Sequence, residues 1–145
     1  MTFRKWRFED ILSLAELEKQ CFSNDLWSYR TFASCYENPA FCGFVAVDGE
    51  EIVGFGGITV AADSADVENV FVAEQYRRGG TGTQLLSMLK EYAEAEGVKD
   101  IFLEVRVSNA PAMAMYLKCG FKGCYARTRY YSDGEDCLVM KYSLG

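Results

Sequence analysis

No histidine occurs among the 145 residues. That absence removes every mechanism that needs an imidazole. Glu, Asp, Tyr, Cys, Lys, backbone amides or water must then do any proton transfer. It also removes a common zinc ligand. The six cysteines, Cys21, Cys35, Cys42, Cys119, Cys124 and Cys137, contain no Cys-x-x-Cys pair, so no metal site is expected. Four of them sit among Phe, Tyr, Val or Leu neighbours, which favours reduced core thiols over disulfides.

Long apolar runs are lacking too. No uncharged run is longer than Ile52 to Ala62, which is too short to cross a bilayer, so no membrane partner is expected. The opening residues "MTFRKWRFED" are charged and carry no signal-peptide core. A cytoplasmic location is the expectation. Positive charge is scarce: 15 basic residues face 21 acidic ones, for a net charge of −6. Such a chain is a poor nucleic-acid binder, because phosphate contacts need a basic face. It tolerates a cationic substrate better.

What is present is apolar and aromatic. Half of the chain is hydrophobic, with ten Phe and nine Tyr, enough for one domain over residues 1–145 with a sizeable core. No internal repeat or linker divides it. Phe3 to Arg7 reads as a short strand. Asp10 caps a helix with Ile11, Leu14, Ala15, Cys21 and Phe22 on its apolar face. Ser28 caps a second helix through Tyr36, which Asn38-Pro39 ends. "FCGFVAV", the turn Asp48-Gly49 and "EIVGFGGITV" form a hairpin. Gly54, Gly56 and Gly57 mark a bulge or a close backbone approach.

Ala65 to Val72 is a further strand. A helix then runs to about Glu96, where Gly97 stops it. "DIFLEVRV" is a strand, and Ser108 or Asn109 caps the helix "APAMAMYLKCG". Two strands close the chain, Phe121 to Arg129 and Asp136 to Ser143, with a turn at "SDGE". The order β-α-α-β-β-β-α-β-α-β-β describes a mixed α/β (α+β) sheet with helices on its faces. Its one parallel βαβ crossover spans Val67 to Val107.

"QYRRGGTGTQLL", Gln75 to Leu86, places two arginines and three glycines before a helix. A Walker loop needs Gly-Lys-Ser/Thr, and Gly82-Thr83-Gln84 does not supply it. A dinucleotide fingerprint is weak, because Leu85 stands where its last glycine belongs. The remaining pattern is R-x-x-G-x-G at Arg77, Gly80 and Gly82. Glycines let N–H groups converge, and the helix start adds unpaired donors and a positive dipole end. Together they suit a pyrophosphate. The plain alternative is a surface turn before a helix.

In "LEVRVSNAPAMAMYLKCGF", alternation puts Phe102, Glu104 and Arg106 on one sheet face. Asn109 and Tyr116 are two helical turns apart and share a side. Local sequence alone favours an ion pair between Glu104 and Arg106, a core role for Tyr116 and a capping role for Asn109. Tyr130 and Tyr131 would alternate across a strand, and Trp27 is as readily core as site.

These residues resemble the GNAT N-acetyltransferase superfamily, whose acetyl-coenzyme A pyrophosphate motif is the R-x-x-G-x-G loop after a strand. "LEVRVSNAPAMAMY", Arg127, Tyr130-Tyr131 and "EDCLVM" are similar to the RimI-type ribosomal-protein alanine N-acetyltransferases. The resemblance covers nearly the whole chain, most strongly from Asn69 onward. It implies the GNAT acyl-CoA N-acyltransferase fold, with acetyl-CoA as co-substrate. The implied acceptor is a protein N-terminus, the alanine of a small-subunit ribosomal protein. Glu104 matches the family's general base and Tyr116 its general acid. Val70, Phe71 and Val72 match the strand that binds the pantetheine arm. Arg77, Arg78, Gly79, Gly80, Thr81, Gly82 and Thr83 match the pyrophosphate loop, and Asn109 a further cofactor contact. Trp27, Tyr130 and Tyr131 match substrate-groove positions.

Three departures stand out. The segment Phe22 to Ser28 has Leu26 for the family's usual Pro and one residue more. Thr81 replaces an aliphatic residue, and Ser132 stands where Pro often follows Tyr-Tyr. The first departure leaves a small amine or a lysine side chain open as the acceptor. A non-catalytic coenzyme A-binding module is the remaining alternative. Apolar neighbours around Glu104 would tune its carboxylate for base work near neutrality.

Overall fold

The protein is described from a computed structural model covering residues 1–23 and 25–145. Asn24, in the departing segment, lies outside the described residues. Among those described, seven strands form one sheet in the order β1-β2-β3-β4-β5-β7-β6. They are β1 (Thr2–Lys5), β2 (Phe41–Asp48), β3 (Glu51–Ala61), β4 (Ser64–Val72), β5 (Asp100–Arg106), β6 (Lys122–Arg127) and β7 (Cys137–Ser143). The helices are α1 (Ile11–Cys21), α2 (Tyr29–Glu37), α3 (Thr81–Ala95) and α4 (Ala110–Lys118). The chain order is the one the sequence pattern predicts. Among the described residues, only β4 and β5 pair in parallel.

Leucines at helical spacing put α3 on the sheet, burying Leu85, Leu86 and Leu89 completely. Gly54 and Gly56 of β3 make room for it. A Cβ on Gly54 would lie 3.2 Å from Leu85, and one on Gly56 3.3 Å from Leu89. Gly57 meets Phe41 instead, whose ring would clash with any Cβ placed there. The close approach expected of these glycines is therefore real, and so is the bulge, between Gly57 and Ile58 where β3 pairs with β4. Phe55 packs with Trp6 and Phe32, at ring separations of 5.2 and 5.6 Å. A second cluster joins Leu86, Ile101, Leu103, Tyr116 and Phe121. β6 is the outer strand, exposed throughout, with a register shift between Gly123 and Tyr125.

The first strand ends at Lys5 rather than Arg7, because Trp6 turns into the core. Asp10 stands at the N-cap of α1 without making a side-chain cap bond. Its carboxylate instead takes both arms of the Arg4 guanidinium, at 2.9 Å each, and the Arg7 N–H at 2.7 Å. Ser28 does cap α2, accepting from the Thr31 N–H. The last strand pair is shorter than predicted: Tyr130 and Tyr131 lie in the β6–β7 connection, not across a strand. All six cysteines are unpaired. Cys42 and Cys137 are buried, whereas Cys124 is exposed. Among the described residues, no helix is long and apolar enough to cross a membrane.

One carboxylate holds the sheet to α1. Glu18 is 1% exposed. It accepts from the Asn69 side chain at 2.7 Å and from the Trp27 N–H. Burial pushes its proton affinity up, against these two hydrogen bonds. Asn69 belongs to β4 and pairs with Gly57 beside the bulge. Bulge and strut thus act on the same point of β4.

Burial alone would push Asp10 up, but Arg4 and the Arg7 N–H hold it below the ordinary aspartate value of 3.8. A depressed carboxylate adds stability above that value and loses it as pH falls. Asp10→Asn weakens the ion pair with Arg4 and is expected to lower unfolding free energy by roughly 0.5–2 kcal/mol at pH 7. In denaturant titrations the difference from wild type should shrink below pH 3.8.

Candidate functional site

The β4–β5 ladder pairs Ser64 with Asp100 and ends at Val67 with Leu103. β4 runs on to Val72 and β5 to Arg106, so the two strands fork. The Val72 carbonyl shows which way the open edge of β4 faces. It accepts from Arg77 Nε at 2.9 Å and from Cys21 Sγ at 3.6 Å, while the Ala73 N–H goes to β3. N–H and C=O of one strand residue point the same way and alternate along the strand. The N–H groups of Val72 and Val70 therefore face the fork, whereas Phe71 turns its side chain into the core.

The glycine loop follows at the mouth of the fork. Arg78 (φ 67°) and Gly80 (φ 84°) both adopt left-handed backbone, which Gly80 tolerates freely and Arg78 does not. Gly80 is the N-cap of α3, with no side-chain cap and no acidic residue in the first turn. The first N–H groups of α3 are thus left without a capping side chain, an arrangement that suits an anion. Gly82 sits where a Cβ would come within 3.0 Å of Met115 Sδ. Thr81 is buried and Thr83 exposed, so the hydroxyl of Thr83 is the one facing solvent. Arg77 serves as a latch between loop and strand end. Met1 and Phe3 wall a cleft of about 350 Å³ beside Gly79 and Gly80, a contribution that no loop motif reveals.

Glu104 is the first β5 residue beyond the last β4 rung. Its side chain opens into a second cleft, of about 410 Å³, with Asp66, Glu68, Tyr125, Arg127 and Tyr130 on the walls. Tyr130 donates its hydroxyl to Glu104 at 3.0 Å, and Arg127 lies 3.5 Å from the other carboxylate oxygen. The Glu104–Arg106 pair favoured by local sequence is not formed: Arg106 binds Asp25, Asp133 and Glu135. Nor is Glu104 wrapped in apolar neighbours, since its side chain is 37% exposed.

Asp66 and Glu68 were not singled out from sequence. The alternation in "ADVEN" does place both on the polar face of β4, the neighbour of β5. Desolvation in the cleft pushes both carboxyls up. Glu104 adds to this for each, and Asp66 for Glu68.

Tyr116 is buried at 8% exposure and meets Phe121 edge-on at 6.0 Å. Burial, with a smaller contribution from Cys119, pushes its phenol up to about 12. Asn109 caps α4, its side-chain oxygen accepting from the Ala112 N–H at 3.2 Å. Trp27 packs edge-on against Phe32 at 5.2 Å, so its ring belongs largely to the core. Fork and clefts gather Val70, Val72, Arg77 to Thr83, Glu104 and Tyr130; Trp27 and Asn109 are committed to packing and capping.

The chain matches the acetyltransferase (GNAT) family over residues 8–121. The N-alpha-acetyltransferase of Sulfurisphaera tokodaii is 47% identical over 150 residues, spanning 94% of this chain and 89% of that one. The ribosomal protein bS18-alanine N-acetyltransferase of Escherichia coli K12 is 37% identical over 117 residues, spanning 79% and 78%. The crystal structure of the ribosomal-protein-S18-alanine N-acetyltransferase from Escherichia coli superposes with a TM-score of 0.88 at 32% identity. That superposition covers 99% of this chain and 94% of the other.

Phenol titration checks the Tyr116 environment. With ring-labelled tyrosine, the resonance missing from Tyr116→Phe should show no ionisation in wild type up to pH 10, as a phenol near 12 requires.

Proposed function

Because the chain belongs to the acetyltransferase (GNAT) family, we propose that it carries the acetyl group of acetyl-coenzyme A to the N-terminal α-amine of a protein. The best-supported acceptor is the N-terminal alanine of a small-subunit ribosomal protein. The chain is an N-acetyltransferase, and one domain over residues 1–145 would carry the activity. A ribosomal acceptor puts the work in the cytoplasm.

The observation that carries the reading is the fork, with Glu104 as the first residue past its vertex. The residues around it fit the donor. The N–H groups of Val70 and Val72 would hold the pantetheine arm, and the uncapped start of α3 with the Arg78–Thr83 backbone would hold the diphosphate. The donor supplies a thioester carbonyl activated toward amines.

Everything else falls to the chain's own groups. An α-ammonium has a pKa of ~7.7–8.0, against ~10.4 for a lysine side chain. Glu104 would take that proton, directly or through a water, leaving the amine free to attack. Backbone N–H groups at the fork would meet the charge that grows on the carbonyl oxygen. A phenol pushed up to about 12 holds its proton more firmly than an ordinary thiol does. Tyr116 would therefore act chiefly by donating a hydrogen bond to the sulfur as the C–S bond breaks, and the second amine proton, released as the amide forms, would pass to the departing thiolate. Asp66, Glu68 and Glu104 line the acceptor side and favour a cationic acceptor.

Glu104→Gln is expected to lower kcat/KM for an alanine-starting ribosomal peptide by about 10²–10⁴-fold. Tyr116→Phe keeps the ring against Phe121 and should lose about tenfold or more in kcat. Both variants should bind acetyl-coenzyme A as wild type does, and full turnover by both would disprove the roles. A panel including free lysine and small amines should show the N-terminal peptide as the fastest acceptor. Charge neutralisation at Asp66→Asn with Glu68→Gln should raise the peptide KM, by a factor that shrinks as salt is added.

A further inference from the structure

Arg106 is expected from its place in the strand to serve Glu104, yet it turns the other way. Its Nη1 bonds both carboxylate oxygens of Asp133, at 3.0 and 2.9 Å, and Glu135 at 3.0 Å. Its Nη2 bonds Asp25 at 2.8 Å. The guanidinium also lies 4.0 Å over the Tyr131 ring. Three carboxylates and an aromatic face thus converge on one cation, from two loops far apart in sequence. Asp25 comes from the α1–α2 connection; the others come from the β6–β7 connection.

The contacts continue to the base. Tyr131 meets Tyr130 edge-on at 5.1 Å, and Tyr130 donates to Glu104. Glu135 reaches in the opposite direction, accepting from the Ser108 N–H at 2.9 Å next to the Asn109 cap. Without Arg106, three like charges would face one another and both loops would lose their shared anchor. Only a planar guanidinium meets this geometry, because it presents several fixed donors and a flat face for the ring.

We infer that Arg106 is the positioning residue of the acceptor cleft: it locks the two flanking loops into one unit and, through Tyr131 and Tyr130, sets the Glu104 carboxylate. The inference rests on the cleft of Glu104 being the acceptor side. It assigns to Arg106 an effect on the acceptor and none on the donor, which is held by β4 and the α3 loop.

The test is Arg106→Gln beside Arg106→Lys, read by amide hydrogen exchange and by kinetics. Exchange in residues 25–28 and 128–136 should rise together by at least tenfold in Arg106→Gln. In Arg106→Lys it should rise less, since an ammonium keeps the charge but not the fork. The acceptor KM should rise at least tenfold, with acetyl-coenzyme A affinity within twofold of wild type. Exchange rising in one loop only, or donor affinity falling as far as acceptor affinity, would overturn the inference.

Should Arg106→Gln not fold, Asp25→Asn removes one arm alone. Faster exchange at 25–28 with a raised acceptor KM supports the lock, and no change in either rejects it. The exchange measurement needs no substrate. If wild type acetylates no protein N-terminus, that result counts against the proposed acceptor and leaves the loop coupling to be judged on its own.

Discussion

A parallel ladder that stops after Val67 and Leu103 is the constraint on which the rest of the molecule depends. Two strands that stayed paired would spend the N–H groups of Val70 and Val72 on each other. They separate because β4 is drawn aside. The bulge opposite Gly57 adds local twist, and the Glu18–Asn69 hydrogen bond holds the displaced strand against α1. A buried carboxylate is a costly element, yet here both of its oxygens are used and the strand separation is what it maintains. Glu104, its cleft and the glycine loop are arranged around that separation.

Charge is distributed around the fork with a division of labour. On the loop side, backbone N–H groups and the start of α3 provide positive potential without any acid in the first turn. On the opposite side, Asp66, Glu68 and Glu104 gather beside Arg127. The net charge of −6 therefore averages over a loop side suited to an anion and a carboxylate-lined cleft suited to a cation. Two ligands of opposite sign could approach these two sides without competing for one surface.

Much of this was legible in the residues. Periodicity marked α3 and the hairpin, glycines marked the bulge and the loop, and Ser28 and Asn109 marked helix starts. Resemblance pointed to Glu104 at the position that proves to be the vertex. What failed was local inference about partners. Glu104 and Arg106 are two residues apart on one face, but Tyr130 and Arg127 satisfy the first while Asp25, Asp133 and Glu135 satisfy the second. Asp10 has the position of a cap, but Arg4 and the Arg7 N–H claim its oxygens. Tyr130 and Tyr131 read as strand, but a turn at Thr128 and Arg129 ends β6 before them. For Glu104 and Arg106 the deciding contacts lie more than twenty residues away, and for Asp10 even near neighbours, Arg4 and Arg7, outcompete the capping role that the position suggests.

The outer strand β6 carries a further consequence. An open sheet border is a template for unwanted ribbon growth between molecules. Here the border is broken by the register shift after Gly123, and it begins and ends on cations, Lys122 and Arg127. A second copy laid alongside would meet a kinked, like-charged rail rather than a flat row of donors and acceptors. The same irregular border, with Tyr125 on the wall of the Glu104 cleft, offers a poor template for fibril growth between crowded molecules.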